Sequence, residues 1–424
     1  MRRRVAVTGL GVVTPFGHGV ARLWAALEAG RSAARPITLF DTTSFPVQFA
    51  CEVPGIDERA PGQRTRRFAL DAAAEAWADA ALPPGTVDPE RIGVALAVGY
   101  TGLDSAWFAD EIDFLGRWRG GEDGAALADA VWDALVPAHG GPETFGLFLR
   151  PETVVGEVAR RCGAAGPGAM VMTSCPASAQ AMATAAAAIR DGEADVMVTG
   201  GADSMVNFLG MAAFARMQAL SRNNAEWETA SRPYDRRRDG FVMGEGGGVV
   251  VLEAWESAVA RGARIHAEWL GAALTCDAYR LSDEHPDGVA AIDAVRRALA
   301  DAGVAPGDLG YVNAHGSSTP MNDRVETRVL HGALGDAARR LPVSSTKSMI
   351  GHLVHASAAV ELVTTVVAMN RGVVPPTAHL RERDPQCDLD YVPVEARAHR
   401  FARALKTSFG FGGINAAVVL GAPA

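Results

Sequence analysis

The side chains best suited to covalent chemistry in this sequence are one cysteine and two histidines, far apart along the chain. Cys175 lies in Val171-Met-Thr-Ser-Cys-Pro-Ala-Ser-Ala-Gln180, and an alanine-rich stretch follows. An apolar run enters the cysteine, and Pro176 suits the first turn of a helix reaching Arg190. A thiol at that junction meets free amide groups and the positive end of the helix dipole, which favour a thiolate. This is the arrangement of an activated nucleophile on a strand-to-helix turn. His315 occurs in Gly310-Tyr-Val-Asn-Ala-His-Gly-Ser-Ser-Thr319, where a strand would deliver it into a turn rich in Gly, Ser and Thr. His352 closes Ser344-Ser-Thr-Lys-Ser-Met-Ile-Gly-His352, near the start of another long helical stretch. Separations of 140 and 37 residues mean that only folding can unite the three. Taken singly, each has a plainer explanation, a small buried cysteine or a histidine satisfied within a core. A metal site finds little support: His352 and His355 are spaced i,i+3, but no third ligand is evident.

The elements that must position these residues alternate between strand-like runs and amphipathic or alanine-rich helices, which implies an α/β fold. Strands are expected over 5–8, 92–98, 169–173, 195–199 and 247–252, and again over 265–270, 309–313, 343–346 and 416–420. Helices are expected over 67–80, 176–190, 256–261, 288–302 and 351–371. Gly192 and Gly372 stand where a helix-ending glycine belongs. The succession of strand, sharp turn, reactive residue and long helix occurs around Cys175 and again around His315 and His352. A duplicated α/β unit explains the echo, with a first half over 1–255 and a second over 256–424. The segment 100–152, which carries Trp107, Trp118 and Trp132, reads as an elaboration between core strands, partly helical over 125–135.

Composition narrows the setting. A chain of 424 residues exceeds one compact core. Hydrophobic residues at 48% and charged residues at 21% exclude a disordered polypeptide. The balance of 40 basic and 49 acidic residues, −9, gives no general attraction to nucleic acid or an anionic membrane. Five scattered cysteines (Cys51, Cys162, Cys175, Cys276 and Cys387) without a CxxC pair point to the reducing cytoplasm, not to a disulfide framework or zinc. The arginine-rich start leads into an apolar run broken by glycines, better read as a buried strand than as a signal sequence. No apolar run approaches the roughly 20 residues of a membrane helix. Only two lysines, Lys347 and Lys406, stand against 38 arginines. An arginine-biased genome accounts for the shortage, but a lysine kept against that bias marks a place where arginine will not fit.

Nearly the whole chain resembles the elongating β-ketoacyl-[acyl carrier protein] synthases, the condensing enzymes of fatty acid and type II polyketide synthesis. The matching pieces run in family order: VTGLGVVTPFG at the start, the Cys175 turn, IRDGEADVMVTGGAD at 189–203 and SRPYDRRRDGFVMGEGGGVVVLE at 231–253. YVNAHGSSTPMND at 311–323, SSTKSMIGH at 344–352 and SFGFGGIN at 408–415 follow. The resemblance implies a thiolase-like fold of duplicated α/β units in an α-β-α-β-α layering. It implies that Cys175 accepts an acyl group from an acyl carrier protein, and that the backbone amides of Cys175 and Phe411 form an oxyanion hole. His315 and His352 would hold the malonyl thioester carbonyl while CO2 leaves. Lys347 and Glu326, as a pair, would set local charge and histidine orientation. Phe409 and Phe411 would form a gate, and the Ser317 and Thr319 hydroxyls would bind the pantetheine arm. No metal and no free cofactor is implied, since substrates ride on the carrier's phosphopantetheine. Partners would be that carrier and a second ketosynthase-like chain, in a homodimer or heterodimer. Arg64, Arg66 and Arg67 could meet an acidic carrier, or simply form a solvated helix face.

Departures from the family pattern bear on substrate more than on reaction class. Pro176 follows the nucleophile where a small or hydroxyl residue is usual. His355 and Ala358 replace glycines, and Ile414 replaces a threonine. The 100–152 segment is long for the family, in a region expected to shape the acyl pocket or the dimer contact. These features favour a specialised synthase of secondary metabolism over a housekeeping enzyme. Two alternatives stay open: a chain-length-setting, catalytically silent partner of a ketosynthase heterodimer, and a thiolase or non-decarboxylating acyltransferase. Silent partners typically lose the cysteine, and thiolases carry a second cysteine in the C-terminal glycine-rich loop, which here holds Phe409 and Phe411.

Overall fold

A computed structural model describes residues 2–99 apart from 44, 58–60 and 84, positions 117, 121, 123 and 126, and residues 151–423 apart from 281 and 282. Trp107, Trp118, Trp132 and all but position 126 of the helix expected over 125–135 fall outside the described residues, as does nearly all of the 100–152 elaboration.

Two sets of five strands form the frame. The first comprises β1 (Val5–Thr14), β2 (Ile92–Val98), β3 (Gly168–Val171), β4 (Val196–Ser204) and β5 (Glu245–Ala254), in the spatial order β1-β5-β4-β2-β3. The second comprises β6 (Ala267–Cys276), β7 (Tyr311–Asn313), β8 (Val343–Ser344), β9 (Arg403–Gly410) and β10 (Ile414–Gly421), in the order β6-β10-β9-β7-β8. Ranked along the chain, both sets read first, fifth, fourth, second, third. The directions match as well: the two pairings that involve the fifth strand are antiparallel, and the other two are parallel. The echo in the sequence is thus a repeated topology. A short antiparallel ladder of Val5–Val7 against Ala267–Trp269 joins the sets.

All residues of β1, β4 and β5 are buried, as strands covered on both faces must be. Helix α1 (Pro61–Ala80) covers β1, β4 and β5 on the outside, and α2 (Glu152–Cys162) covers β2. Close approach of α1 requires glycine in β1, because a Cβ on Gly9 or Gly11 would stand 2.1 Å from the carbonyl oxygen of Ala76 or Ala72. Helices α4 (Val289–Ala302) and α5 (Pro320–Leu334) pack together over the second set. Helices α3 (Ala177–Arg190) and α6 (Ser357–Arg371) follow the third strand of their respective sets and touch each other and strands of both. They form the middle layer. Twelve of the 15 residues of α6 are buried, so this helix is apolar almost all round. The result is the α-β-α-β-α layering. Among the described residues, no helix is long and apolar enough to cross a membrane.

The structure corrects the sequence-based boundaries in two places that matter to the site. The helix expected over 351–371 begins only at Ser357. One turn, Lys347–Ile350, ends at Gly351 with φ 70°, and a tight turn at Val354–Ala356 precedes α6. His352 therefore lies between helices, bound as a bridge: its N–H donates to the Val242 carbonyl (2.7 Å) and its carbonyl accepts from Gly244 (2.9 Å). Strand β9 was not expected, because Arg403 and Lys406 interrupt its apolar run. Lys406 is nonetheless buried, for an electrostatic reason given below.

Candidate active site

Cys175 follows β3 through Ser174, whose φ of 58° forces the sharp reversal into α3. The corresponding junction of the second half, β8 to α6, carries Lys347 and His352, and the β7 exit carries His315. Equivalent ends of a duplicated frame thus converge on one point. The Sγ of Cys175 and ring nitrogens of His315 and His352 lie within 4.8 Å of one another, all buried.

Each histidine has its tautomer set by the protein. His352 Nδ1 accepts from the Val354 N–H (3.1 Å) and lies 2.9 Å from the Ser357 hydroxyl, whose oxygen already accepts from Leu353 N–H. With Nδ1 taken as an acceptor, the proton of the neutral ring resides on Nε2, which faces Cys175 Sγ at 3.1 Å. Lys347 Nζ stands 3.4 Å from His315 Nδ1 and donates to the His315 carbonyl at 2.8 Å. An ammonium only donates, so His315 also carries its proton on Nε2. Burial first, then Lys347, holds both imidazoles well below their ordinary value of 6.5, with Lys406 contributing further. Both rings are neutral N–H donors at neutral pH.

The expected Lys347–Glu326 pair does not form. Lys347 pairs with Glu361, whose second oxygen lies 2.9 Å from Lys406 Nζ. A carboxylate this deep requires cations around it, which explains why β9 buries a lysine. Glu326 instead accepts from His315 N–H (2.8 Å), Gly316 N–H (2.7 Å), the Thr407 hydroxyl (2.7 Å) and the Tyr234 hydroxyl (2.9 Å). It fixes the backbone that presents His315. Sequence reasoning missed Glu361 because it lies mid-helix in an apolar run, although its 14-residue distance from Lys347 was visible.

The thiol departs from expectation too. Burial pushes Cys175 from 9.0 up to about 12, against the lowering effects of Lys347 and of the Phe411 and Cys175 N–H groups at the sulfur. Desolvation wins, and the enclosed thiol keeps its proton.

The β9–β10 hairpin closes over the sulfur. A Cβ on Gly410 would lie 2.5 Å from Pro176 Cδ and 3.2 Å from the Cys175 nitrogen, so only glycine permits this approach. Phe409 is buried with its ring 6.2 Å from that of His315, and half-buried Phe411 packs 6.0 Å from Phe214. Phe214 stacks edgewise on Phe241 (5.5 Å), and Phe241 on His352 (5.1 Å). This aromatic wall was not singled out in the sequence. Ser317 and Thr319, hydroxyls 2.9 Å apart, line the same cavity of about 250 Å³ as Cys175, both histidines and Phe411. His355 turns away from it: its Nδ1 meets Asp203 at 2.6 Å. Ala358 is fully buried in the central core. Arg64 is not a surface residue; it is buried against Glu245, with Nε 3.0 Å from Oε2. Arg66 and Arg67 are exposed and paired with Glu157 and Asp71, each at 2.6 Å.

The repeated strand order and its five layers define a thiolase-like enzyme fold. The beta-ketoacyl synthase N-terminal domain matches residues 2–258, and the corresponding C-terminal domain matches 266–381. The actinorhodin polyketide putative beta-ketoacyl synthase 1 of Streptomyces coelicolor is 41% identical over 99% of this chain and 89% of its own length. The 3-oxoacyl-[acyl-carrier-protein] synthase 2 of Coxiella burnetii is 38% identical over 99% of this chain and 98% of its own. A solved type II polyketide ketosynthase, in complex with its acyl carrier protein and bound to a hexaketide, superposes with a TM-score of 0.88 at 34% identity, covering both chains fully. The ishigamide ketosynthase/chain length factor gives 0.85 at 34%, again over the full length of both. The chain belongs to the beta-ketoacyl synthase family, and it is a condensing enzyme, an acyltransferase of the ketosynthase type.

Proposed function

We propose that the chain joins an acyl group held on Cys175 to malonyl-[acyl carrier protein] by decarboxylative Claisen condensation, giving 3-ketoacyl-[acyl carrier protein] in type II polyketide or specialised fatty acid synthesis. The observation that carries this reading is the pair of neutral imidazoles. Both have Nδ1 engaged by protein donors, which leaves each an Nε2–H to donate in a cluster whose ligand atoms lie within 4.8 Å, with that of His352 3.1 Å from the sulfur.

In the first half-reaction Cys175 attacks the acyl thioester, and its proton passes to the departing pantetheine thiolate. The Cys175 and Phe411 amides receive the oxyanion, a role supported by their position at the sulfur. Malonyl-carrier then enters with its arm along Ser317 and Thr319. Its thioester oxygen accepts from His315 and His352, so the negative charge left when CO2 departs develops between two fixed donors. The enolate carbon attacks the Cys175 thioester, and the expelled thiolate regains a proton from solvent. Phe409 and Phe411 gate the passage between acyl and malonyl spaces, burial and then Lys347 keep both imidazoles neutral, and Glu326 holds the His315 loop. The partner is an acyl carrier protein, with a second copy or a second ketosynthase-like subunit completing the assembly. Five free thiols support work in the reducing cytoplasm.

Cys175→Gln tests the reading against the silent-partner alternative. The variant should form no 3-ketoacyl product yet still release CO2 from malonyl-carrier, because decarboxylation needs only the two histidines. Both proteins are assayed with labelled CO2 and intact-mass detection of carriers, with and without any co-purifying subunit. Unchanged product formation would reject the nucleophile.

A further inference from the structure

The catalytic cavity is lined by two acids that the proposed chemistry leaves idle, Asp283, which pairs with Arg280 (3.2 Å), and Glu284. Glu284, in the link between β6 and α4, lines the cavity together with Cys175, His315 and Ser317. Its Oε2 is shut off from solvent and has no hydrogen-bond partner. A carboxyl oxygen shut off from solvent without a partner, on a residue otherwise half-buried, is costly and points to a ligand that completes it. The acid is fixed to the gate: the neighbouring His285 N–H donates to Asp277 (2.8 Å), and Asp277 accepts from Asn415 (2.8 Å) and donates its own N–H to the Gly413 carbonyl (2.7 Å).

The charges around Glu284 decide what it can meet. Asp277 just past β6, Asp283 beside it, and Asp323 and Glu326 from α5 all act on it. An anion such as the malonyl carboxylate is unwelcome among four acids. Burial first, then Glu326, Asp323, Asp277 and Asp283, raises Glu284 from 4.5 to about 8, so at neutral pH it carries a proton. A neutral carboxyl offers an O–H donor and a C=O acceptor side by side. That is the complement of a secondary amide, which offers the reverse.

We propose that Glu284 is a substrate-binding residue that pairs with a secondary amide of the pantetheine arm, donating to the amide carbonyl and accepting from the amide N–H. This rests on the ketosynthase reading above. The arm is common to both carrier substrates, so Glu284 serves acylation and condensation alike.

The test measures kcat and KM for acyl-carrier and malonyl-carrier between pH 6 and 9, with wild type, Glu284→Gln and Glu284→Ala. The glutamine keeps a donor and an acceptor, so its KM should stay within about twofold of wild type at neutral pH. Alanine should raise KM for both carriers about five- to tenfold with kcat nearly unchanged. Wild-type KM should climb as pH passes about 8, when the donor is lost, while the glutamine profile stays flat. Cys175, near 12, and the two histidines, well below 6.5, titrate outside that rise. Asp323, at about 6, lies at its lower edge. Three results each overturn the proposal: unchanged KM in the alanine variant, a rise confined to malonyl-carrier, or a pH rise that persists in the glutamine variant. Wild type that makes no 3-ketoacyl product from any carrier defeats the ketosynthase reading instead, and this proposal falls with it.

Discussion

Imidazole N–H groups are useful to an enolate only while the ring stays neutral, and at His315 and His352 the protein enforces neutrality by burial and by the nearby lysines. The sign of the pH dependence follows. Folded values lie well below the 6.5 of the unfolded chain, so decarboxylation should be flat from neutral pH to below 6 and fail only in stronger acid. The contribution of these two rings to stability should also fall as pH drops below 6.5, because the unfolded chain then binds protons on them that the folded one refuses. A rate profile with a midpoint near 6.5 would contradict this. Replacing His315 or His352 with alanine should remove decarboxylation at least a hundredfold, the scale of losing one preorganised donor, and leave some acylation of Cys175. Condensation within tenfold of wild type would show that they are not the enolate donors. At Lys347, arginine should be a poor substitute, since a planar fork cannot sit between Glu361, the His315 carbonyl and Nδ1.

At the scale of elements, the hairpin of β9 and β10 is the part whose position is most exacting. Gly410→Ala must push Pro176 or the Cys175 amide, and both belong to the nucleophile turn. Acylation should fall by more than tenfold while the melting temperature changes little, because the strain lies at the surface of the cavity and not in the frame. Rates of Cys175 acylation by a short thioester, with a thermal melt, check this. His355 is a second local test. Its alanine variant strips Asp203, whose Oδ1 already lacks a partner, of its imidazole hydrogen-bond partner. A loss of about 2 kcal/mol is expected for removing a buried hydrogen bond to a carboxylate, read by denaturant unfolding. Elements were legible where periodicity was clean. Continuous apolar strands and the capped helix after Pro176 declare themselves. The break at Gly351 did not, because 351–371 is largely apolar and holds no proline, and only the backbone bridge from His352 to Val242 and Gly244 stops a helix there. Strand β9 was hidden by a lysine whose burial makes sense only beside Glu361. Three of the site's residues were visible through their motifs, but the partner of Lys347 depends on tertiary approach and could not be read from pattern.

Over the whole molecule, the duplicated frame explains why three reactive residues 140 and 37 positions apart meet. Equivalent strand ends from two copies of one topology face each other across α3 and α6, so each copy contributes half of the chemistry. The two lysines of the chain, each 1% exposed, both lie in that shared interior. This has a practical consequence for handling the protein. Amine-directed labels, cross-linkers and lysine-targeting modifying enzymes find no lysine side chain on the native surface. An activated ester should therefore leave both lysines untouched in the folded enzyme and modify both after denaturation. Mass spectrometry of a timed reaction would then read the opening of the catalytic core directly, at two residues within it and without any engineered probe.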